Sequence, residues 1–127
     1  MSLRTPLGRV LGMGSAKDGT GHWWAQRVSA VALVPLTLWF LFSLLLLPDL
    51  DYATVKVWLS LPISGFLTVL LLAVSTYHSY LGTTVVVEDY VHQPFLHATT
   101  LLLSTLLHLL AGAAALLAVL RMALGNA

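Results

Sequence analysis

Residues 28–47 read VSAVALVPLTLWFLFSLLLL, twenty positions without one charged side chain. About 20 apolar residues in a helix span a hydrocarbon core about 30 Å thick, and a proline such as Pro35 is tolerated in a membrane helix. Pro48-Asp49-Leu50-Asp51 closes the run. Working outward, apolar sequence resumes at about 55–82, with Pro62 and Gly65 in its first half, and again at about 95–120. The chain has 127 residues, of which 58% are hydrophobic and 9% charged, against about 25% charged in a soluble domain. Its mean hydropathy is +0.90, and no polar shell remains to clothe a water-soluble fold. The sequence therefore predicts an all-α membrane protein of three transmembrane helices joined by short connections.

Domain organisation follows from the same reading. Residues 1–26 form a mostly irregular N-terminal arm carrying Arg4, Arg9 and Lys17, which reaches the membrane at His22-Trp23-Trp24. The arm lacks the apolar core and cleavage site of a secretory signal and is expected to be retained. Residues 27–122 are a single membrane domain and residues 123–127 a tail. Between the second and third spans, Val85-Val86-Val87 either prolongs the helix or forms an extended turn, and Glu88 to Pro94 is the polar connection. In the third span Gly112-Ala113-Ala114-Ala115 lets a neighbouring helix approach closely.

Basic residues set the expected orientation. Arg4, Arg9, Lys17 and Arg27 lie on one side and Lys56 and Arg121 on the other, so the N-terminus is expected inside and the C-terminus outside. A net charge of +1, with no basic stripe, gives nucleic-acid binding no support. The absence of cysteine excludes disulfides, a thiolate nucleophile, a zinc ribbon and any cysteine-ligated iron–sulfur cluster within this chain. Redox chemistry here would need histidine.

A histidine within a membrane span is costly unless paired, wetted or ligating a metal, which singles out His78, near the inner end of the second helix. Gly82, four residues on, lies on the same face and leaves room for a flat ligand beside the imidazole. From the residues alone, an axial haem ligand and a hydrogen-bonded packing histidine both stand. His97 and His108, eleven residues apart, share a face but sit about 16 Å apart along the axis, too far to ligate one haem together. Any haem at His78 needs its other ligand from a partner. Glu88, Asp89 and Tyr90 form the compact acidic and phenolic cluster at the membrane boundary. A phenol donates a hydrogen bond to a quinone carbonyl and a carboxylate relays protons, although an interfacial anchor would show the same residues. Arg27 is either a snorkelling cation or the partner of an anion such as a haem propionate or Asp89.

The string His22-Trp23-Trp24-Ala25-Gln26-Arg27-Val28-Ser29-Ala30, then His78 with Gly82, then Glu88-Asp89-Tyr90-Val91-His92, resembles the hydrophobic membrane anchor subunit of succinate dehydrogenase, respiratory complex II. Its most specific piece is His-x-x-x-Gly with Asp-Tyr eleven and twelve residues after the histidine. The resemblance implies packing with a partner three-helix cytochrome b subunit and one haem b bound between them, with His78 as one axial ligand. It further implies that Tyr90 hydrogen-bonds ubiquinone, that Asp89 supports the quinone site or its proton supply, and that Arg27 lies near the haem propionates or the quinone pocket. The partners implied are the cytochrome b, iron–sulfur and flavoprotein subunits, in a bacterial inner membrane, with the mitochondrial inner membrane as the less favoured alternative. The chain alone is then not catalytic.

Two other readings compete. A cofactor-free structural anchor or assembly subunit would use His78 for packing only. A transporter or channel subunit expects polar residues through the full membrane depth, whereas mid-span polarity here is mainly His108, Ser104 and a few hydroxyls.

Overall fold

The computed structural model describes residues 19–124, and these form four helices: α1 (Gly19–Leu45), α2 (Tyr52–Ser60), α3 (Pro62–Tyr90) and α4 (Pro94–Ala123). The three long ones are each apolar and long enough to cross a membrane. Most of the expected arm and tail lies outside the described residues.

Helix boundaries depart from the sequence expectation in three places, each for a local reason. Residues 19–26, expected as the end of an irregular arm, already belong to α1, where Trp23 lies one turn before Arg27 and its ring sits 5.5 Å from the guanidinium carbon. The second span does not start near residue 55. Leu61, at φ −67° and ψ 128°, leaves the helical region as the residue before a proline commonly does, and Pro62 then opens α3 where its missing N–H costs nothing. Residues 52–60 are cut off as the short α2, capped by the Asp51 carboxylate, which accepts from Thr54 N–H at 2.9 Å. At the other end α3 runs through the valine run to Tyr90, so Glu88, Asp89 and Tyr90 occupy its last turn and not a loop. The Thr83 and Thr84 hydroxyls donate to the carbonyls of Ser79 and Tyr80, each at 2.9 Å, and Val87 is buried. Only Val91, His92 and Gln93 then separate α3 from α4, with the Gln93 side chain accepting from Leu96 N–H and Pro94 in the first turn.

Three consecutive spans joined in this way run antiparallel. Gln26 and Ser29 of α1 meet His78 of α3, while the C-terminal half of α1 stacks Trp39 on Trp58 of α2 with 5.8 Å between ring centroids. Along α3 and α4, Ser79 pairs with His108, Thr76 lies against Gly112, and Gly65 approaches Ala123. The start of α1, the end of α3 and the start of α4 therefore share one end of the bundle.

The interior is thin. Leu36, Trp58, Leu59, Leu81 and Val87 are its buried apolar members, whereas Leu45, Leu46, Val31 and Ile63 are each at least 72% exposed. An apolar surface this extensive belongs against lipid or another chain. Hydroxyls within the spans are satisfied locally: Thr68 bonds the carbonyl of Ser64 and Thr105 that of Leu101. No chain of polar groups is needed to keep them from orphaning in hydrocarbon.

Candidate functional site between the first and third helices

Where α1 crosses α3, polar side chains converge in an otherwise apolar contact. His78 Nδ1 lies 2.9 Å from Ser29 Oγ, and His78 Nε2 lies 3.5 Å from Gln26 Nε2. Ser29 is only 6% exposed, and its hydroxyl also reaches the Gln26 carbonyl at 3.0 Å. Gly82 makes this crossing close: a Cβ built there would stand 3.4 Å from Gln26 Nε2. The room that Gly82 leaves beside the imidazole is thus taken up by the Gln26 amide. Two buried polar atoms on this stretch of α1, Gln26 Oε1 and His22 Nε2, have no hydrogen-bond partner. They lie four residues apart and so on one face of the helix. Orphaned polar atoms are uncommon in folded proteins and call for a ligand or partner group.

His78 lies twelve residues before Tyr90, about 18 Å along the axis, and so sits nearer the middle of α3 than its end. The expectation of a position near the inner end rested on a helix stopping at residue 82. Glu88, Asp89 and Tyr90 are all exposed, Tyr90 at 78%, and at 100° per residue they fan out around the last turn. Asp89, eleven residues from His78, comes back within about 20° of its direction, while Tyr90 points well to one side. Two carboxylates at a helix C-terminus oppose the macrodipole, a local cost without structural return. Arg27 is exposed and stacked over Trp23, which itself stacks on Trp24 at 6.1 Å. The structure does not bring His78, Arg27 and Tyr90 into one cluster: Arg27 stands between Gln26 and Ser29 and so level with His78, whereas Tyr90 lies about 18 Å further along α3.

His108 has a self-contained role. Its Nδ1 lies 2.7 Å from the Ser104 carbonyl, which only accepts, so Nδ1 carries the proton and Nε2 accepts from the Ser79 hydroxyl at 3.1 Å. The edge of Tyr80 packs on the ring. Among the described residues no group of three or more His, Cys, Asp or Glu could hold a metal ion. Sequence reasoning missed Gln26 and Ser29. Their signal was present, since they are polar, three residues apart and straddle the start of the apolar span at residue 28.

These observations define a class: an α-helical integral membrane protein of three antiparallel spans, with one imidazole set in a polar seam between two of them. The chain belongs to the succinate dehydrogenase/fumarate reductase transmembrane subunit family, whose model matches residues 1–120. It is similar to succinate dehydrogenase hydrophobic membrane anchor subunits. That of Rickettsia bellii is 36% identical over 89 residues, covering 69% of this chain and 70% of the relative. That of Paracoccus denitrificans is 33% identical over 121 residues, covering 95% of this chain and 93% of the relative. That of Rickettsia conorii is 32% identical over 91 residues, covering 71% and 72%. The resemblance carried by His78, Gly82, Asp89 and Tyr90 is borne out at the level of this family.

Proposed function

We propose that this chain serves as the membrane anchor subunit of a bacterial inner-membrane succinate:ubiquinone oxidoreductase, and that it contributes His78 to a haem b shared with a cytochrome b subunit. The flavoprotein and iron–sulfur subunits dock at the end of the bundle that holds the N-terminus, which the count of basic residues puts on the cytoplasmic side. The observation that carries the reading is the seam around His78. It offers a single imidazole with one nitrogen engaged by a buried hydroxyl, a glycine on the next turn, and two buried polar atoms without partners. That donor set fits half of a bis-histidine haem site, the second ligand coming from the partner. The Gln26 amide stands at 3.5 Å, the outer limit of a hydrogen bond, and yields that side of the ring readily. When bound, the haem supplies a one-electron couple whose potential the protein sets through its ligands and their hydrogen bonds.

Oxidation of succinate to fumarate releases two electrons and two protons, and conversion of ubiquinone to ubiquinol takes up two of each. In this chain the Tyr90 hydroxyl donates a hydrogen bond to a quinone carbonyl oxygen, and the Asp89 carboxylate accepts and returns a proton at the same boundary. Arg27, held over Trp23 on the stretch of α1 that meets His78, offers a cation there to an anion such as a propionate.

Replacing His78 by Ala in the assembled complex tests the haem assignment. The expected result is loss of the b-type absorbance while the flavoprotein and iron–sulfur subunits still co-purify. An intact b-type spectrum overturns the ligation and leaves His78 as a packing residue of the anchor.

A further inference from the structure

Counting protons around Ser29 fixes which nitrogen of His78 is free. A serine hydroxyl has one proton to give. The Gln26 carbonyl, 3.0 Å from Ser29 Oγ, only accepts, so the hydroxyl proton points there. The 2.9 Å bond between Ser29 Oγ and His78 Nδ1 must then run the other way, from the ring N–H to the hydroxyl oxygen. Nε2 is left with the lone pair, and Gln26 turns toward it the nitrogen of its amide, a donor, while its oxygen stays without a partner.

We infer that Ser29 is the positioning residue for His78 as a metal ligand, fixing the Nδ1–H tautomer and the ring orientation and leaving Nε2 with the lone pair that a metal would take. The inference rests on the haem reading above. Its physical basis is general: a ligating histidine is held by a partner for its other N–H, and that partner raises the basicity of the ligating nitrogen. Ser29 suits the role because its hydroxyl is anchored on its own helix, three residues back, and therefore presents a fixed lone pair to α3. At 6% exposure, no water can readily take its place. Nothing else among the hydrogen bonds of His78 engages Nδ1.

The test compares Ser29→Ala, Ser29→Cys and Ser29→Thr in the whole complex, alongside His78→Ala, reading haem content per flavin, haem midpoint potential and the low-spin haem resonance spectrum. Ser29→Ala and Ser29→Cys are expected to bind haem about 10-fold or more weakly, as loss of such a partner commonly does, and to raise the potential of what remains. Ser29→Thr, which keeps the hydroxyl, restores the parent values. If the alanine variant does not assemble, cysteine against threonine carries the same comparison at near-constant volume. Parent-like potential and spectrum in Ser29→Ala or Ser29→Cys, with haem lost in His78→Ala, overturns the role of Ser29 and spares the haem reading. A defect in Ser29→Cys that Ser29→Thr shares equally overturns it too, since packing and not the hydroxyl would then be responsible. Haem retained in His78→Ala overturns both.

Discussion

Thr76 and Gly112 meet across the α3–α4 interface so closely that a Cβ on Gly112 would lie 2.9 Å from Thr76 Cγ2. Gly112→Ala must push Thr76 aside, and overpacking of this kind costs about 1–3 kcal/mol. A drop in the unfolding midpoint of the complex in detergent is the expected readout. Adding Thr76→Ser, which removes the clashing methyl, should recover most of the loss, because the two residues are coupled through that one contact.

Asp51 gives the bundle a measurable pH response. Hydrogen bonds from Thr54, first its side chain and then its backbone N–H, hold the Asp51 carboxyl below its ordinary value. A depressed folded value means that the cap's contribution is present in full above the unfolded carboxylate range. It fades as pH falls below about 4 and on through the lowered folded value. The stability difference between the parent and Asp51→Asn should therefore be flat from pH 7 to 5 and shift against the parent below that. A thermal melt at each pH checks it.

His108 can be told apart from His78 by substitution. Because both of its ring nitrogens are already satisfied within the chain, by Ser104 and Ser79, His108→Leu should keep the b-type absorbance and the rate of quinone reduction. The cost should be about 0.6 kcal/mol, the usual worth of a hydrogen bond between membrane helices. A visible spectrum and a melt on the same sample suffice. Loss of the absorbance in this variant would mean that His108 and not His78 touches the haem.

Tyr90→Phe isolates the quinone step. The side chain is 78% exposed, so stability should hold, whereas losing one hydrogen bond to a quinone carbonyl removes about 1.4 kcal/mol, a tenfold fall in succinate-dependent quinone reduction. Succinate oxidation by a soluble artificial acceptor should continue at the parent rate. Equal rates with quinone in mutant and parent would remove Tyr90 from the site.

The three spans were legible because long, mostly apolar runs, one of them twenty residues without a charge, leave a chain few alternatives to a membrane helix. Their ends were harder to read. Pro62 looks like an interior residue of a long apolar run, and only the extended backbone at Leu61 shows that it starts a helix. The valines at 85–87 fit a strand as well as a helix, and the decision falls to hydroxyls bonding backward from Thr83 and Thr84. His78 and Gly82 stood out as a spaced pair. Gln26 and Ser29 did not, because their meaning comes from a residue about fifty positions away that only the crossing of α1 and α3 brings near.

The extension of α3 to Tyr90 has one more consequence. At 29 residues the helix is about 43 Å long, and standing upright in a 30 Å core it overhangs by about 6–7 Å at each face. His78 and the carboxylates of the last turn are thus marks on one rod, unbroken between them by any proline. A thinner or thicker bilayer can tilt that rod, yet it leaves the interval between the marks unchanged. The chain carries a ruler whose graduations are set by helical rise and are indifferent to the lipid around it.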